Sequence, residues 1–205
     1  MTELFSHSLS ECICRVSRTG RDVDSGQERD CVRRAQAGDR AAFAALVDRY
    51  WNPVRSWLAS MTRQEHLAED LTQEAFLKAW AGLPKLAAEM TFRVWLFRIA
   101  RNEFLAFARS PRTAIREELP DVPDQTPGPP QRLEEQEARN ALRAAIEKLP
   151  ETYRDAYLLW THERLPYMEI ADILDVTEET ARWRVCEARQ RLAAALRRFL
   201  GEQLR

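Results

Sequence analysis

An acidic, proline-rich stretch just past the middle of the chain constrains the fold more than any other feature. Five of the ten prolines lie between Pro120 and Pro130, with Gly128, Asp121 and Asp124 among them. Such a stretch cannot bury enough apolar surface to fold, and Pro111 to Gln131 reads as a semi-rigid exposed linker. What remains on either side has helical periodicity. The chain contains 28 Ala and 23 Leu against 9 Val and 6 Ile, with only 6 Gly, a balance that favours helix over sheet. The expected fold is therefore all-α, with two small helical domains joined by an acidic Pro-rich linker. The expected layout is a flexible N-terminal arm over 1–29, a first domain over 30–110, the linker over 111–131 and a second domain over 132–205.

In the first domain Phe43, Leu46, Val47, Tyr50, Val54, Trp57, Leu58 and Met61 recur three and four apart, as one face of a helix requires. Pro53 falls inside that stripe and predicts a kink or break. Gly38-Asp39 supplies a turn and an N-cap before it. A second stripe of Leu67, Leu71, Ala75, Phe76, Ala79 and Trp80 is closed by Gly82 and Pro84. A third, of Phe92, Trp95, Leu96, Ile99, Phe104 and Leu105, runs to Arg109, and its spacing makes Trp95 a core residue. After the linker the period resumes near Leu133, with Leu142, Ile146 and Leu149 before Pro150. It continues over Tyr153–Trp160, Tyr167–Leu174 and Thr177–Leu200.

Several function classes are disfavoured by composition. The longest apolar run, Ala41 to Val47, is 7 residues, far below the roughly 20 that a membrane helix needs. The polar N-terminus, interrupted by Ser, Glu and Arg, reads against a signal peptide. His7, Cys12 and Cys14 lack a fourth ligand and the usual zinc spacing, and with Cys31 and Cys186 they read as reduced thiols. His66 and His162 have no nearby Cys or second His, so surface or capping roles are expected. No Gly-rich phosphate loop, metal-spaced cluster or nucleophile elbow is present. The expectation is a protein that is not an enzyme and carries no cofactor and no metal.

Charge is informative only in its distribution. The net charge is −1, but Phe92 to Arg116 holds six Arg and one Glu, a net of +5. Glu117 to Glu137 holds seven acids and one Arg, a net of −6, and Thr177 to the C-terminus seven Arg and four Glu, a net of +3. Two basic segments flanking an acidic one fit two nucleic-acid-binding surfaces on one chain. Arg outnumbers Lys 28 to 3, a bias that genomic base composition also produces.

The second domain reads as a helix-turn-helix over Tyr167 to Val185. Ile170, Ala171 and Leu174 face inward from its first helix, Val176 sits at the turn, and Ala181 and Val185 pack at i and i+4. Ala171 is small where a second helix crosses closely. Thr177 caps that helix, with Glu178 and Glu179 in its first turn. Thr180, Arg182, Trp183 and Arg184 are left toward the exposed face. A helix of this kind enters a major groove and reads base edges, while Arg189 and Arg191 approach phosphates. The plainer reading is a helical hairpin with a solvated basic face.

Asp70-Leu-Thr-Gln-Glu-Ala-Phe-Leu-Lys-Ala-Trp80, followed by Phe92-Arg-Val-Trp-Leu-Phe-Arg-Ile-Ala-Arg-Asn102, resembles region two of the sigma-70 family in its extracytoplasmic-function branch. Leu149-Pro-Glu-Thr-Tyr-Arg-Asp-Ala156, the helix-turn-helix and Ala188-Arg-Gln-Arg-Leu192 resemble region four of the same branch. The match covers roughly Asp30 to Arg109 and Leu142 to Leu200. It implies an RNA polymerase sigma factor, cytoplasmic, that binds core polymerase and reads the −10 and −35 promoter elements. Glu69, Asp70, Gln73 and Glu74, opposite the apolar face of their helix, are implied to dock on the β′ clamp helices, with the β subunit as a further contact. Lys85, Arg93, Arg98, Arg101 and Asn102 are implied to hold the non-template strand of the −10 element. The loop from Leu83 to Thr91 stands where the family receives a flipped base. The resemblance also leaves room for an anti-sigma partner, which no residue identifies.

The chain departs from the family pattern at four positions. Asp175 replaces a turn glycine, Trp183 a small polar residue, Glu187 a basic one and Ala106 an acidic one. These leave the promoter sequence unspecified. The competing reading is a stand-alone helix-turn-helix regulator, which would leave the Asp70–Trp80 motif without a role.

Overall fold

A computed structural model describes residues 22–87, 90–110 and 140–203; the arm before Asp22 and the linker 111–131 lie outside them. The described residues are helical: α1 (Asp22–Gln36), α2 (Arg40–Thr62), α3 (Glu65–Gly82), a 3₁₀ turn (Leu83–Lys85) and α4 (Phe92–Ala108). After the linker come α5 (140–147), α6 (Glu151–His162), α7 (Tyr167–Leu174) and α8 (Glu178–Gln203).

Two compact units divide the chain, one ending at Leu46 and the other starting at Val47. In the first unit, α1 begins at Asp22, inside the expected arm, and runs through residue 29 without a boundary. Its side chains from Gly26 on are mostly exposed, so it carries no apolar stripe for a periodicity reading to detect. Gly38, at φ 92°, turns the chain, and the Asp39 carboxylate accepts from the Ala41 and Ala42 amides at 2.9 and 3.1 Å. Those bonds, the Ala42 amide foremost, together with Arg34, hold the Asp39 carboxyl below its ordinary range.

α2 is continuous through Pro53, contrary to the expected kink or break. A proline inside a helix costs about 3 kcal/mol. Val54 and Leu58 beside it are fully buried, as is Trp57, and full burial of a Val or Leu side chain contributes roughly 1.5–3 kcal/mol. Packing wins over propensity here. In the second unit, Trp57 meets Phe97 edge-on with centroids 5.7 Å apart, and Tyr50 meets Phe92 at 5.7 Å. Gly82 closes α3 where a Cβ would lie 3.1 Å from the Trp95 ring, so any larger residue there would need the indole to give by a few tenths of an ångström.

The buried face of α4 differs from the expected stripe. Phe92, Val94, Leu96, Phe97, Ala100 and Phe104 are buried, while Trp95, Ile99 and Leu105 are half-buried. The reason is that α4 packs on both sides, against α3 and against α7, so no single stripe describes it. After the linker, Leu149, Ala188 and Leu192 form a core on which Ala145, Ile146, Tyr153 and Tyr157 pack.

Candidate nucleic-acid interface

α3 separates its faces cleanly. Leu67, Ala68, Leu71, Thr72, Ala75, Phe76 and Ala79 are buried, and the Thr72 hydroxyl donates to the Ala68 carbonyl at 2.6 Å, which removes its polarity from the core. Glu69, Asp70, Gln73 and Glu74 are all exposed on the opposite face. Leu77, one turn on, is 55 % exposed beside them. Sequence reasoning passed over it, although its i+3 spacing from Glu74 places it on the same face.

α4 begins at Thr91, whose hydroxyl accepts from the Val94 amide at 3.4 Å. Lys85 and Asn102 are exposed. The three arginines are engaged. Arg93 donates to the Glu163 carbonyl and to its carboxylate at 3.2 Å. Arg98 meets the Asp175 carboxylate at 3.3 Å, and Arg101 meets Asp155 at 3.4 Å. Asp155 is 2 % exposed. Burial pushes its carboxyl up to about 6, with Glu151 adding to the rise and Arg101 and Arg154 opposing it. Sequence reasoning assigned no role to Glu163 or Asp155 and read Asp175 only as the turn residue. A signal existed for Asp155, which precedes Leu158 and Leu159 by three and four residues and so lies on their buried face.

The helix-turn-helix follows its sequence closely. Ile170, Ala171, Leu174, Ala181 and Val185 are all buried. Asp175 takes the left-handed conformation at φ 56°, ψ 53° and its amide bonds to the Ala171 carbonyl, the geometry for which glycine is the usual choice. The Thr177 hydroxyl accepts from the Thr180 amide at 3.2 Å and caps α8.

On α8, Arg182 pairs with Glu178 at 2.9 Å and lies over the Tyr167 ring, and Arg191 pairs with Glu187 at 2.8 Å and lies over Tyr153. Arg189 lies over Trp160. Arg182 and Trp183 are exposed, and Thr180 and Arg184 half-buried. Trp183 packs edge-on against Tyr153 of α6 at 5.6 Å. Tyr153 is its neighbour because α6 also lies along α8. The surface is thus basic and aromatic, suited to phosphates and base edges.

Comparisons with known proteins agree with this geometry. Residues 46–113 match the family model for sigma-70 region 2, and residues 139–192 match that for sigma-70 region 4. The RNA polymerase sigma-H factor of Pseudomonas aeruginosa is 30 % identical over 191 residues, covering 86 % of this chain and 97 % of that protein. The sigma-E factor of Escherichia coli K12 is 34 % identical over 170 residues, covering 78 % and 88 %. Among solved structures, CnrH in complex with the cytosolic domain of CnrY is similar at TM-score 0.63 and 26 % identity, covering 83 % and 97 %. RpoE bound to the anti-sigma factor NepR, from Bartonella quintana, is similar at TM-score 0.61 and 25 % identity, covering 76 % and 96 %.

Proposed function

The chain belongs to the sigma-70 family of RNA polymerase sigma factors, in its extracytoplasmic-function branch, and from that premise we propose how its surfaces divide the work. It is a sigma factor, which binds core polymerase and promoter DNA. Its relatives are not enzymes, and we read the chain as a binding protein acting with polymerase in the cytoplasm. No described helix is long and apolar enough to cross a membrane.

Glu69, Asp70, Gln73 and Glu74 dock on the β′ clamp helices, and the exposed Leu77 adds an apolar contact to that face. Carboxylates and an amide give the contact its polarity and register, while the leucine gives area to bury. Arg93, Arg98, Arg101 and Lys85 neutralise phosphates of the −10 non-template strand, and Asn102 offers a donor and an acceptor to a base edge. Extruding a base costs a few kcal/mol of stacking, offset by contacts with the strand that holds it open. Arg182 and Arg184, in the first half of α8, face the −35 major groove with Thr180 and Trp183, and Arg189 and Arg191 reach its phosphates. An anti-sigma partner like that of RpoE would compete for these surfaces.

One observation carries this division: the acidic face of α3 is exposed on a helix whose opposite side is buried, while arginines line α4 and the outer face of α8. A stand-alone regulator accounts for α7 and α8 only and leaves the region 2 match over 46–113 without a role. The test is transcription in vitro with purified core polymerase on genomic fragments, with start-site mapping. Asp70→Ala combined with Glu74→Arg should abolish co-purification with core while melting stays unchanged, since exposed substitutions shift stability by under about 0.5 kcal/mol. Unchanged co-purification removes α3 as the docking helix.

A further inference from the structure

Three arginines of α8 lie over aromatic rings, and no two of them share a ring. Arg182 lies 5.5 Å from the centroid of Tyr167, Arg189 5.3 Å from that of Trp160 and Arg191 4.7 Å from that of Tyr153. The last two rings both belong to α6. Ala181, Val185, Ala188 and Leu192 are buried and mark the inner face of α8. At about 100° per residue Arg189 and Arg191 are about 200° apart, one on each side of that buried stripe. Helix α6 thus sets a ring against each flank of α8. Both rings are half-buried and fixed by packing: Tyr153 rests on the core of Leu149, Ala188 and Leu192, and Trp160 lies against Tyr157 at 6.3 Å. The major groove is about 12 Å wide and a helix with its side chains about 10–12 Å across. A helix seated there turns one flank to each phosphate wall.

We propose that Trp160 and Tyr153 are positioning residues for duplex phosphates: each holds one guanidinium, of Arg189 and of Arg191, against its own wall of the groove. The inference rests on the assignment of α8 to the −35 duplex. A guanidinium is planar, with an apolar face and an edge of N–H donors. A ring takes the face and a phosphate takes the edge, so both bind at once. A carboxylate competes with phosphate instead, because it needs the same N–H groups. Arg191 shows both kinds of contact, an edge pair with Glu187 and a face contact with Tyr153. When phosphate displaces Glu187, the ring keeps the arginine where it was. An arginine without such a ring loses its rotamer freedom on binding DNA, whereas a stacked one has lost it on folding. The rings therefore raise affinity without adding charge and without touching the DNA.

Phosphate contacts carry no sequence information, so the probe is a fluorescent pool of random-sequence duplex DNA, titrated with the full-length chain at several salt concentrations. Trp160→Leu and Tyr153→Leu should each weaken binding about threefold, the size of one side chain's ordering cost. The salt slope should stay unchanged, because no charge has been removed. Trp160→Phe and Tyr153→Phe keep a ring and should restore most of the affinity. Arg189→Ala should weaken binding and lower the salt slope by about one phosphate contact. In that background Trp160→Leu should have no further effect, since the ring has nothing left to hold. A ring that only fastens α6 to α8 would cost the same in both backgrounds, and that result overturns the proposal. A loss that phenylalanine does not restore overturns it as well. If Arg189→Ala and Arg191→Ala bind the pool as tightly as the native chain, the assignment of α8 to phosphates falls and takes this inference with it. If those two variants bind weakly while both leucine variants bind like the native chain, the inference alone falls.

Discussion

The arginines of α4 and of α8 carry the same charge and are proposed to meet the same kind of ligand, yet they are held in opposite ways. On α8 the pairs Arg182–Glu178 and Arg191–Glu187 lie four residues apart on one helix, in solvent. On α4 the acceptors of Arg93 and Arg101 are largely excluded from water and come from another part of the chain. Pairs of the first kind stabilise a helix by about 0.2–0.5 kcal/mol and open freely when a groove approaches. Removing the guanidinium from a pair of the second kind while its carboxylate stays buried leaves that desolvated charge without compensation. One basic face is open to solvent, and the other is largely covered by acidic groups of the same chain.

The largest expected effect breaks this contrast at Arg101. Arg101→Ala leaves Asp155 buried beside no guanidinium but that of Arg154, and should cost about 3 kcal/mol of stability at pH 8. Arg182→Ala, on the exposed face, should stay within about 0.5 kcal/mol. Chemical denaturation of both variants at one pH makes the comparison. Equal losses would mean that α4 and α8 hold their arginines alike. The Arg101→Ala loss should shrink toward pH 5, because a protonated Asp155 needs no cationic partner.

The same carboxyl gives the contrast a pH signature. Asp155 titrates at about 6 in the fold, against 3.8 as the ordinary value. Between about pH 4 and 6 the folded chain therefore holds a proton that the unfolded chain has released. Stability from this group is present below pH 4 and is lost as pH rises through 6. Asp155→Asn should remove that slope. The stability of the native chain relative to the variant should fall by on the order of 2 kcal/mol between pH 4 and pH 7. A pH-independent difference between the two proteins would show that Asp155 is hydrated and the α4 pairs are open.

How far the sequence revealed these arrangements follows from what a period can encode. The stripes of α3 and α7 were legible because each helix buries one face, so Leu71, Ala75 and Phe76, or Ile170, Ala171 and Leu174, recur at helical spacing. The Thr177 cap and the left-handed Asp175 were legible because they are local. The face of α4 was misread because two neighbours cover it, which brings Phe97 and Ala100 inside while Ile99 and Leu105 stay half-covered. The pairing of Arg98 with Asp175 left no trace at all, since nothing in a linear pattern links charges 77 residues apart. Pro53 warned of a break that the burial of its neighbours prevented.

On the α8 side the contrast sharpens into two kinds of arginine. Arg182→Ala should relax preference at one or two positions of the upstream element, at about 1–3 kcal/mol of discrimination if the arginine is bidentate to guanine. Arg191→Ala should weaken every sequence alike and lower the salt slope by about one phosphate contact. Binding to a library of upstream elements at two salt concentrations separates them. A uniform loss from both substitutions means that α8 enters the groove in another orientation.

Trp183 carries the smallest expected effect. The indole is 55 % exposed on the outer face of α8, and its edge rests on Tyr153. An aromatic so exposed gains little from folding, yet Tyr153 limits its orientations before any DNA arrives. A rigid apolar surface between two arginines suits the one apolar feature of the major groove, the thymine methyl. Burying one methyl contributes about 0.8 kcal/mol, which is about a fourfold change in affinity. Replacing thymines by deoxyuridine throughout an upstream element removes the methyls and leaves every hydrogen-bonding group in place. The native chain should lose about fourfold on the uracil duplex, and Trp183→Ala should bind both duplexes equally. Equal binding of both by the native chain would assign Trp183 to the Tyr153 contact alone, and base reading on α8 would then fall to its arginines and Thr180.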